Sequence, residues 1–565
     1  MTIGKLESIL TSGMATMTFK YTALTPRIIT SSNLVTVNGQ RVNASAQISN
    51  NRFLLALGNG QNWVLYTSGN ITLRGSNSTT GLLANASFTG YIRAAIYTSD
   101  AHLAVLDKTK ACFLDGVEVK SINTNSYAFN FKTSGVCTSG LFHYLHIHHL
   151  DTLDQSTASV VTGTDLISST RGKMTGVLTK KTPPMVQFTD KASVPADFYS
   201  PRKPNATIVA ANHITQTLIN DINASWSIPV YGSYYFNGKA AQKYAQLCLL
   251  ARDSSVAGVN GTALLRKCLD KLEAILLPYV ENKWSYPMKF DTVYRGIVSS
   301  LGFAYNDPYA DFGNTMYNDH HYYWGYWIMT AAIVNYLDPM WSRLAQMNRL
   351  TSFLIRDVAN PTSNDKGFAK FRYFDWFRGH SFSHGVTPFW DGKDQESTSE
   401  EINFHYGMTL FGKVTKNAEL TAIGQLMLKL NTRSIQTYFL MQNNNRAHPA
   451  EVIPNKVTGI FFDNKIDYTT WFTAEKYAIH GIQMIPITPV TEFVRTRAFV
   501  QEEWSQVLSK LSIVVKSDMT NGWLSLLYAN YATVNSTAAL QQLQKVALDD
   551  GLSRSWALYI AATRP

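Results

Sequence analysis

Residues 322–337, YYWGYWIMTAAIVNYL, form the most continuously apolar stretch of this 565-residue chain. The run is too short for a membrane span and is interrupted by Thr330 and Asn335, so it predicts a buried helix. Helical spacing recurs downstream of about residue 205, at residues 238–255, 262–280, 420–440 and 538–550. About twelve helices of average length fit into this part of the chain. Helices paired in this way and joined by long loops favour an α/α toroid.

The first 190 residues instead alternate between apolar and polar side chains, as half-buried strands do. Strands are predicted at residues 15–24, 62–68, 86–97 and 126–134. Turn signals such as Asn59-Gly60 separate them, and many short antiparallel strands favour a β-sandwich. Five prolines between residues 178 and 204 indicate a boundary. We therefore predict three parts, namely a β-sandwich at residues 1–180, a small connecting α/β region at 181–225 and a helical domain at 226–565.

The composition is that of a globular protein with a mild positive charge. Hydrophobic residues make up 45% of the chain and charged residues 16%, which is enough apolar material to build a core. The net charge of +11 is scattered without a run of Lys and Arg, so we predict no nucleic-acid partner. The opening residues, MTIGKLESIL, lack a cationic segment followed by a long apolar one and predict no secretory signal.

Eight Asn-x-Ser/Thr sequons nevertheless fit a secreted or cell-wall-associated glycoprotein, although chance is an equally good explanation. They begin at Asn43, Asn70, Asn77, Asn85, Asn205, Asn223, Asn260 and Asn535. For the oligomeric state, a monomer is favoured.

The cysteines and the clustered histidines are candidate metal ligands. The four cysteines lack CxxC spacing, so a zinc ribbon is unlikely on this pattern; local disulfides 112–137 and 248–268 are allowed, and free buried thiols are equally plausible. Residues 143–149, HYLHIHH, would place His146 and His148 on one face of a strand, as metal-binding pairs can be. Because no third ligand is indicated, a partly exposed strand is the better interpretation. We predict no metal and no cofactor.

The densest cluster of carboxylates and aromatic rings lies further along the chain. Residues 318–327 read NDHHYYWGYW, and residues 375–401 read DWFRGHSFSHGVTPFWDGKDQESTSEE. Seven of the twelve tryptophans fall between Trp284 and Trp471. Carboxylates among aromatic rings suit glycoside hydrolysis. One carboxyl must donate a proton to the leaving oxygen, another must activate water or attack carbon, and the rings can stack on sugars.

Glu396 is the candidate base in this cluster. Ser397 and Glu400 fit the S-x-x-E capping box of a helix that would begin there, so Glu400 has a structural explanation as a cap. Glu401 is expected on a solvated face. Glu396 would be exposed at the positive N-terminal end of the helix, which predicts a lowered pKa and the ionised form of a general base.

Asp319 is the candidate acid. It precedes the aromatic run of the apolar helix, where helix N-cap and catalysis are equally good interpretations. Burial against those rings would raise its pKa, as a general acid requires. Asp375 and His380 flank Arg378, and an ion pair that shapes the loop is the structural alternative for this trio.

Four ordered blocks of this sequence resemble glycoside hydrolase family 81, the endo-β-1,3-glucanases. Residues 319–325, DHHYYWG, resemble the family's DHHxHYG, and residues 379–385, GHSFSHG, resemble its GHSWASG. Residues 391–400, DGKDQESTSE, resemble DGKNQESSSE, and residues 480–489, HGIQMIPITP, resemble a last block. The resemblance is good over roughly residues 230–490. Several motifs in order are far more specific than any single one.

The resemblance implies an N-terminal β-sandwich, a small α/β domain and a C-terminal (α/α)6 barrel. It implies endo-acting hydrolysis of β-1,3-glucan with inversion. Carried across, Asp319 is the general acid, Glu396 the general base that activates water, and Glu400 an essential neighbour. The other polar and aromatic residues predicted to bind the glucan are His320, His321, Tyr322, Trp324, Asp375, Trp376, His380, Trp390, Gln395 and Tyr406.

The chain departs from the family motifs at Tyr323, Trp324, Phe382 and Asp394. Asp394 stands where the family has Asn, and like-charge repulsion from it is expected to raise the pKa of Glu396.

The tryptophans divide into two predicted groups. Trp376 and Trp390 are predicted near the sugar cleft, whereas Trp327 and Trp341, at helix-interior positions, are predicted in the core and Trp63 in the packing of the sandwich.

Two other function classes compete with the glucanase. One is a non-catalytic β-glucan-binding or elicitor-sensing protein on the same scaffold, which the intact Asp319 and Glu396 argue against. The other is a metal hydrolase that uses the histidine cluster.

Overall fold

The structure is a computed structural model that describes residues 4–41, 45–76, 79–228, 232–386 and 389–565. The chain divides into two compact units, Met1–Asp190 and Lys191–Pro565. The first unit is rich in β-sheet and the second is mainly helical, as the two hydrophobic periods predict. The finer division at residues 180 and 225 stays a prediction. The sequons at Asn43 and Asn77 lie outside the described residues.

The described residues of the first unit form mainly strands, with two helices among them. Its strands are β1 (Lys5–Ile9), β2 (Met17–Leu24), β3 (Arg27–Ile29), β4 (Leu34–Val37), β5 (Gln40–Arg41), β6 (Gln47–Leu57), β7 (Asn62–Gly75), β8 (Gly81–Ala84), β9 (Phe88–Tyr97), β10 (Cys112–Asn123), β11 (Ser126–Gly135), β12 (Phe142–Leu145), β13 (Ala158–Val160), β14 (Leu166–Ser168), β15 (Gly172–Thr179) and β16 (Met185–Thr189). Its helices are α1 (Asp100–Thr109) and α2 (Ile147–Leu150).

The described strands of this unit pair into antiparallel sheets. The largest has the order β1-β2-β9-β7-β6-β4-β5, with β8 joining β3 to β7; the others are β10-β11-β16 and β12-β15-β13, with β14 on β15. Alternation along the strands gives the large sheet two apolar faces. Phe53 and Leu65 pack on one face, while Val64 and Tyr66 pack on the other against α1 and Phe142 of β12. Trp63 is half-buried and packs against the first of these clusters, as predicted.

The histidine cluster lies inside this unit. Strand β12 ends at Leu145, so His146 is the N-cap of α2 and not a strand residue. His143, His146, His148 and His149 are all at most 1% exposed, and the partly exposed strand predicted for them is therefore wrong. They pack among rings such as Phe129 and Phe131, which the local sequence does not reveal. Among the described residues, no group of three or more His, Cys, Asp or Glu is arranged to hold a metal ion.

Both disulfides that the sequence allowed are formed. Cys112 pairs with Cys137 in the first unit, and Cys248 pairs with Cys268 in the second. The alternative of free buried thiols is therefore wrong.

The second unit is built mainly from helices. They are α3 (Ala206–Ala211), α4 (Ile214–Asn223), α5 (Tyr234–Arg252), α6 (Ser254–Ala257), α7 (Gly261–Val280), α8 (Leu301–Tyr305), α9 (Ala310–Gly313), α10 (His320–Leu337), α11 (Leu344–Ala359), α12 (Thr398–Val414), α13 (Ala418–Ser434), α14 (Lys476–Gly481), α15 (Thr491–Val494), α16 (Arg497–Gln506), α17 (Ser512–Val515), α18 (Trp523–Tyr531), α19 (Ser536–Leu543) and α20 (Arg554–Ala562). Short strands in its loops are β17 (Met288–Asp291), β18 (Gly296–Ser299), β19 (Phe374–Asp375), β20 (His380–Ser381), β21 (Asp394–Gln395), β22 (Ile460–Phe462) and β23 (Ile466–Asp467).

Helices α10 and α12 are buried along most of their length and pack directly on each other. A Cβ on Gly325 would lie 3.1 Å from the backbone nitrogen of Phe404, and a Cβ on Gly407 would lie 3.2 Å from that of Met329. The absence of a side chain at both glycines permits this close crossing. Because residue 325 meets 404 and residue 329 meets 407, the two helices run parallel. Their N-terminal ends therefore lie at the same end of the unit.

Trp327 and Trp341 lie in different surroundings. Trp327 is fully buried in α10, as predicted. Trp341 is half-buried in the turn between α10 and α11, so its predicted helix-interior position is wrong. No described helix is both long and apolar enough to cross a membrane.

Candidate active site

The site is built where the parallel helices α10 and α12 begin. Asp319 is the residue before α10, and Glu396 precedes the N-cap of α12, Ser397. Both are half-buried. The backbone N–H of Asp319 donates to the carbonyl oxygen of Ser383 at 2.7 Å, and the N–H of Ser383 donates to that of Asp394 at 2.7 Å. This backbone ladder ties the loop before α10 to the strand that leads into Glu396.

Asp319 does not act as a conventional helix cap. Its backbone is left-handed (φ 61°), and its side chain makes no capping hydrogen bond to α10. The side-chain carboxyl of Asp319 therefore does not cap the helix. Burial raises its pKa well above the usual range, and the negative charges of Asp394, Glu396 and Glu400 raise it further. The carboxyl of Asp319 is thus set up to hold a proton.

Glu396 is more enclosed than its position in the sequence predicts. Burial raises its pKa to about 8, and the charges of Glu400 and Asp394 add to this, as predicted for Asp394. The lowered pKa expected from the helix N-terminus is therefore wrong, because burial and the neighbouring like charges raise it. One contact opposes the rise. The backbone N–H of Trp471 donates to Glu396 Oε1 at 2.8 Å.

Glu400 faces the interior beside these two groups and does not complete a capping box. Its Oε1 accepts a hydrogen bond from the Tyr326 hydroxyl at 2.7 Å. Ser397 makes no side-chain cap and instead donates through Oγ to the carbonyl of Ile482 at 2.8 Å. Burial raises the pKa of Glu400, and hydrogen bonds from Tyr326 and Tyr235 oppose that rise.

Behind the carboxyls lies a hydrogen-bonded hub centred on Tyr322. Its hydroxyl donates to Gln395 Oε1 at 2.6 Å and accepts the backbone N–H groups of Ser397 at 3.0 Å and Glu396 at 3.3 Å. Ser383 Oγ also donates to Gln395 Oε1, at 2.9 Å. Tyr322 is 4% exposed and Gln395 is fully buried, so both position the backbone around Glu396 from the interior. Their predicted role in binding the glucan stays a prediction.

Glu401 belongs to the same buried network and not to a solvated face, as was predicted. Its carboxylate accepts hydrogen bonds from the backbone N–H of Ser381 at 2.5 Å and from Gln395 Nε2 at 2.7 Å. Burial alone would raise the pKa of Glu401, but the hydrogen bond and charge of His405 lower it to about 2. Its sequence neighbours, mostly polar, do not reveal that α12 is buried on all sides.

Replacing Tyr322 by Phe is expected to lower the free energy of unfolding of the helical unit by about 1–3 kcal/mol, because the N–H of Ser397 loses a buried acceptor. Only Trp63 of the twelve tryptophans lies before residue 200, so tryptophan fluorescence during urea unfolding reports mainly on the helical unit. Tyr336→Phe, at the half-exposed far end of α10, is the control and is expected to unfold like the wild type. Equal stability of Tyr322→Phe and Tyr336→Phe would contradict the hub.

Several residues predicted to bind substrate lie in the interior. His320 is fully buried between Asp357 Oδ2 at 2.6 Å and the carbonyl of Asn314 at 2.8 Å. Trp324 is also fully buried and donates to the same carboxylate oxygen of Asp357 at 2.8 Å. Nε2 of His321 is hydrogen-bonded to Gln395 Oε1 at 3.1 Å. Burial lowers the pKa of His321 to about 4. These side chains support the start of α10 and have no exposed surface for a sugar.

Three further predicted ligands are also enclosed. Tyr406 donates to the carbonyl of Asp197, His380 is fully buried, and Trp376 is 8% exposed with Phe374 edge-on against it. The ring of Trp376 is thus largely enclosed, and its predicted place near the sugar cleft stays a prediction. Neighbouring aromatic rings give the same sequence signal whether they form a core or a sugar platform.

Asp375 and Trp390 are more exposed than these enclosed residues. Asp375 is half-buried, and its Oδ1 accepts the backbone N–H of Phe377 at 2.8 Å and of Arg378 at 3.0 Å, which closes a turn. The guanidinium of Arg378 pairs with Asp463 at 3.5 Å. Trp390 is fully exposed.

Sequence reasoning missed Trp471. This residue is 49% exposed, and its indole N–H donates to Asp394 Oδ2 at 3.3 Å in addition to the backbone contact with Glu396. Its only signal in the sequence is membership of the tryptophan cluster, because it lies 75 residues after Glu396 and outside the carboxylate motifs.

Comparison with known proteins agrees with the division into two units. Residues 2–191 match the family model described as the glycosyl hydrolase family 81 N-terminal domain, and residues 205–558 match the C-terminal domain of the same family. A solved family 81 structure from Clostridium thermocellum superposes on 100% of this chain and 75% of its own, with a TM-score of 0.79 at 19% identity. That likeness supports the fold.

Curated relatives extend the similarity. The chain is 32% identical to the primary septum glucan endo-1,3-beta-D-glucosidase of Schizosaccharomyces pombe, over 99% of this chain and 54% of that protein. It is 32% identical to a glucan endo-1,3-beta-D-glucosidase of Arthroderma benhamiae, over 99% of this chain and 62% of that protein. The chain thus spans between about half and two thirds of the length of these relatives. With both family domains matched in order, the chain belongs to glycosyl hydrolase family 81.

Proposed function

We propose that this protein is an endo-acting hydrolase of β-1,3-glucan that inverts the anomeric configuration. The observation that carries the proposal is the placement of Asp319 and Glu396 at the ends of two parallel helices, in a member of this family. Relatives that bear the name glucan endo-1,3-beta-D-glucosidase support the choice of substrate. Asp319 donates a proton to the leaving oxygen, and Glu396 takes a proton from the attacking water. Inversion requires these carboxyls to stand about 6.5–9.5 Å apart.

The environments of the two carboxyls support this assignment of roles. Asp319 must keep its proton while Glu396 has lost its own. Four carboxylates act on Asp319, namely Asp394, Glu396, Glu400 and Asp311, and all of them raise its pKa in addition to burial. Glu396 instead receives the Trp471 N–H, which lowers its pKa against the effect of burial. The asymmetry favours the proton on Asp319 and the charge on Glu396.

Glu400 is proposed as the neighbour that biases this proton distribution. It lies one helical turn after Glu396, and its charge raises the pKa of both Asp319 and Glu396. Since two carboxyl groups supply both proton transfers, we expect hydrolysis to be insensitive to EDTA, which also tests the metal-hydrolase alternative.

The experiment that tests the function is measurement of reducing ends released from a linear β-1,3-glucan, with the anomer of the first product followed by NMR. Reducing ends with the α-anomer formed first are expected. The β-anomer formed first would contradict inversion. Tight binding without release of reducing ends would overturn the hydrolase and support the glucan-binding alternative.

Replacing Asp394 by Asn is expected to move the pH profile of activity to lower pH. Activity falls as pH drops through the pKa of Glu396, about 8, because the base becomes protonated. The negative charge of Asp394 raises the pKa of both Glu396 and Asp319, so its removal lowers both and shifts both limbs of the profile in the same direction. Rates measured across a pH series check this. Asp463 is a half-buried carboxylate paired with Arg378, and Asp463→Asn is the control. If Asp394→Asn and Asp463→Asn give the same pH profile, the proposed effect of the Asp394 charge is contradicted.

The finer architecture and the setting of the enzyme are also proposals. We propose that the sheet-rich unit is a β-sandwich, that residues 181–225 form a connecting α/β region, and that the helices from residue 226 form an (α/α)6 barrel. Polymeric β-1,3-glucan is the expected partner of a monomeric enzyme that is secreted or associated with the cell wall.

A further inference from the structure

Two exposed aromatic rings, Phe389 and Trp471, lie against each other beside Glu396, and the exposed Phe472 follows Trp471 in the chain. Phe389 is 39% exposed, Trp471 49% and Phe472 58%, and we call these three the aromatic strip. The rings of Phe389 and Trp471 are 5.5 Å apart and inclined by 31°. Aromatic rings that are grouped and remain exposed to water typically mark a binding surface.

The strip is held in place from both sides. Trp471 is fixed to the carboxylates of Glu396 and Asp394 by its backbone and indole N–H groups. The ring of Phe472 lies 6.0 Å from that of Trp523 and nearly parallel to it, at 15°. Thr470 Oγ1 accepts the backbone N–H groups of Phe472 at 3.3 Å and Thr473 at 2.9 Å, which closes the turn that carries Trp471 and Phe472. The exposed faces are therefore positioned before any ligand arrives.

We propose that the aromatic strip binds the β-1,3-glucan chain on the side of the cleavage point next to Glu396, with Trp471 stacking on the sugar nearest that carboxylate. This assignment rests on the proposed function. An occupant made of sugars fits because pyranose rings present apolar C–H faces to aromatic rings, while their hydroxyls can hydrogen-bond the half-buried carboxylate of Glu396 beside Trp471. A purely apolar occupant would take water away from the half-buried carboxylate of Glu396 and offer it no hydrogen bond in return.

The contribution of the Trp471 ring to sugar binding can be measured apart from the chemical step. The contact of Trp471 with Glu396 is made by the backbone, and any side chain at position 471 can retain it. Removal of the ring should therefore weaken binding of the sugar more than it slows the chemical step. Trp471→Phe keeps an aromatic face and loses only the indole N–H to Asp394.

The test compares Trp471→Ala, Trp471→Phe and Phe472→Ala with a control at Tyr336. Tyr336 is 41% exposed and stacks on Phe198 at 4.6 Å, so it matches the strip residues in exposure and stacking. It lies 16 residues after His320 on α10, about 24 Å away at 1.5 Å per residue. The ligand is the linear β-1,3-linked glucose hexasaccharide. Steady-state kinetics give KM and kcat, and calorimetric titration in a Glu396→Gln background gives Kd without turnover.

For Trp471→Ala, we expect KM and Kd to rise about tenfold or more, in the range of aromatic anchors in other interfaces. A smaller rise is expected for Phe472→Ala, and values within about threefold of the wild type for Trp471→Phe and Tyr336→Ala. Circular dichroism and the melting temperature confirm that each variant is folded.

The outcomes separate the two proposals. Unchanged KM and Kd in folded Trp471→Ala, with an active wild type, would overturn the strip and leave the hydrolase standing. A wild type that binds the hexasaccharide without cleaving it would overturn the hydrolase, and the Kd comparison would still decide the strip. Absence of binding to the wild type would overturn both.

Discussion

Glu396→Gln is expected to lower kcat on a linear β-1,3-glucan by about 10³-fold, within the usual range for loss of a general base. Glutamine has nearly the same shape as glutamate, and its amide oxygen can still accept the Trp471 N–H. It cannot take a proton from water. Reducing-end release measured at saturating glucan isolates kcat. Glu475→Gln, an exposed residue four positions after Trp471, is the matched control and should retain wild-type activity.

A second measurement identifies the step that Glu396 serves. Glu396→Ala opens space on the side where water attacks, and azide needs no base to act as a nucleophile. Inverting chemistry predicts that azide restores part of the rate and that the product is the α-glycosyl azide. Equal rates for Glu396→Gln and wild type would remove Glu396 from the mechanism, and a β-glycosyl azide would point to a covalent intermediate.

Much of the fold could be predicted from local patterns. The apolar run at residues 322–337 lies within α10, and the alternation at residues 62–68 lies within β7, because burial on one face or on all sides leaves a direct periodic signal. Where the hydrophobic period is weak, the predicted bounds of a helix are less accurate. The predicted helix at residues 538–550 ends at Leu543.

The environment of the site could be predicted only in part. Asp319 and Glu396 were found through motifs, but their surroundings come from segments far apart in sequence, such as Trp471 and Tyr322 around Glu396. The helix dipole predicted a lowered pKa for Glu396, whereas tertiary burial raises it. A pattern of residue types does not say which side chains become buried on all sides, and Glu401 is the clearest example.

Glu396 and Asp319 should respond differently to the chemistry of the leaving group. An alcohol of high pKa, such as the sugar hydroxyl of a glucan, needs a proton as the glycosidic bond breaks, whereas a dinitrophenolate leaves without one. Base activation of water is needed for both substrates. Comparing a polysaccharide with a dinitrophenyl β-1,3-linked oligosaccharide therefore separates acid from base.

Asp319→Asn is expected to lower kcat on a linear β-1,3-glucan by about 10³-fold, because the amide has no proton to give. On the dinitrophenyl substrate the loss should be far smaller, since that leaving group needs no acid. The alkaline limb of the pH profile should also disappear for this substrate, because it reports loss of the proton that burial and neighbouring charges hold on Asp319 by raising its pKa. Asp307→Asn, an exposed carboxylate on the preceding loop, is the control. An equal loss on both substrates would mean that Asp319 shapes the site without donating the proton.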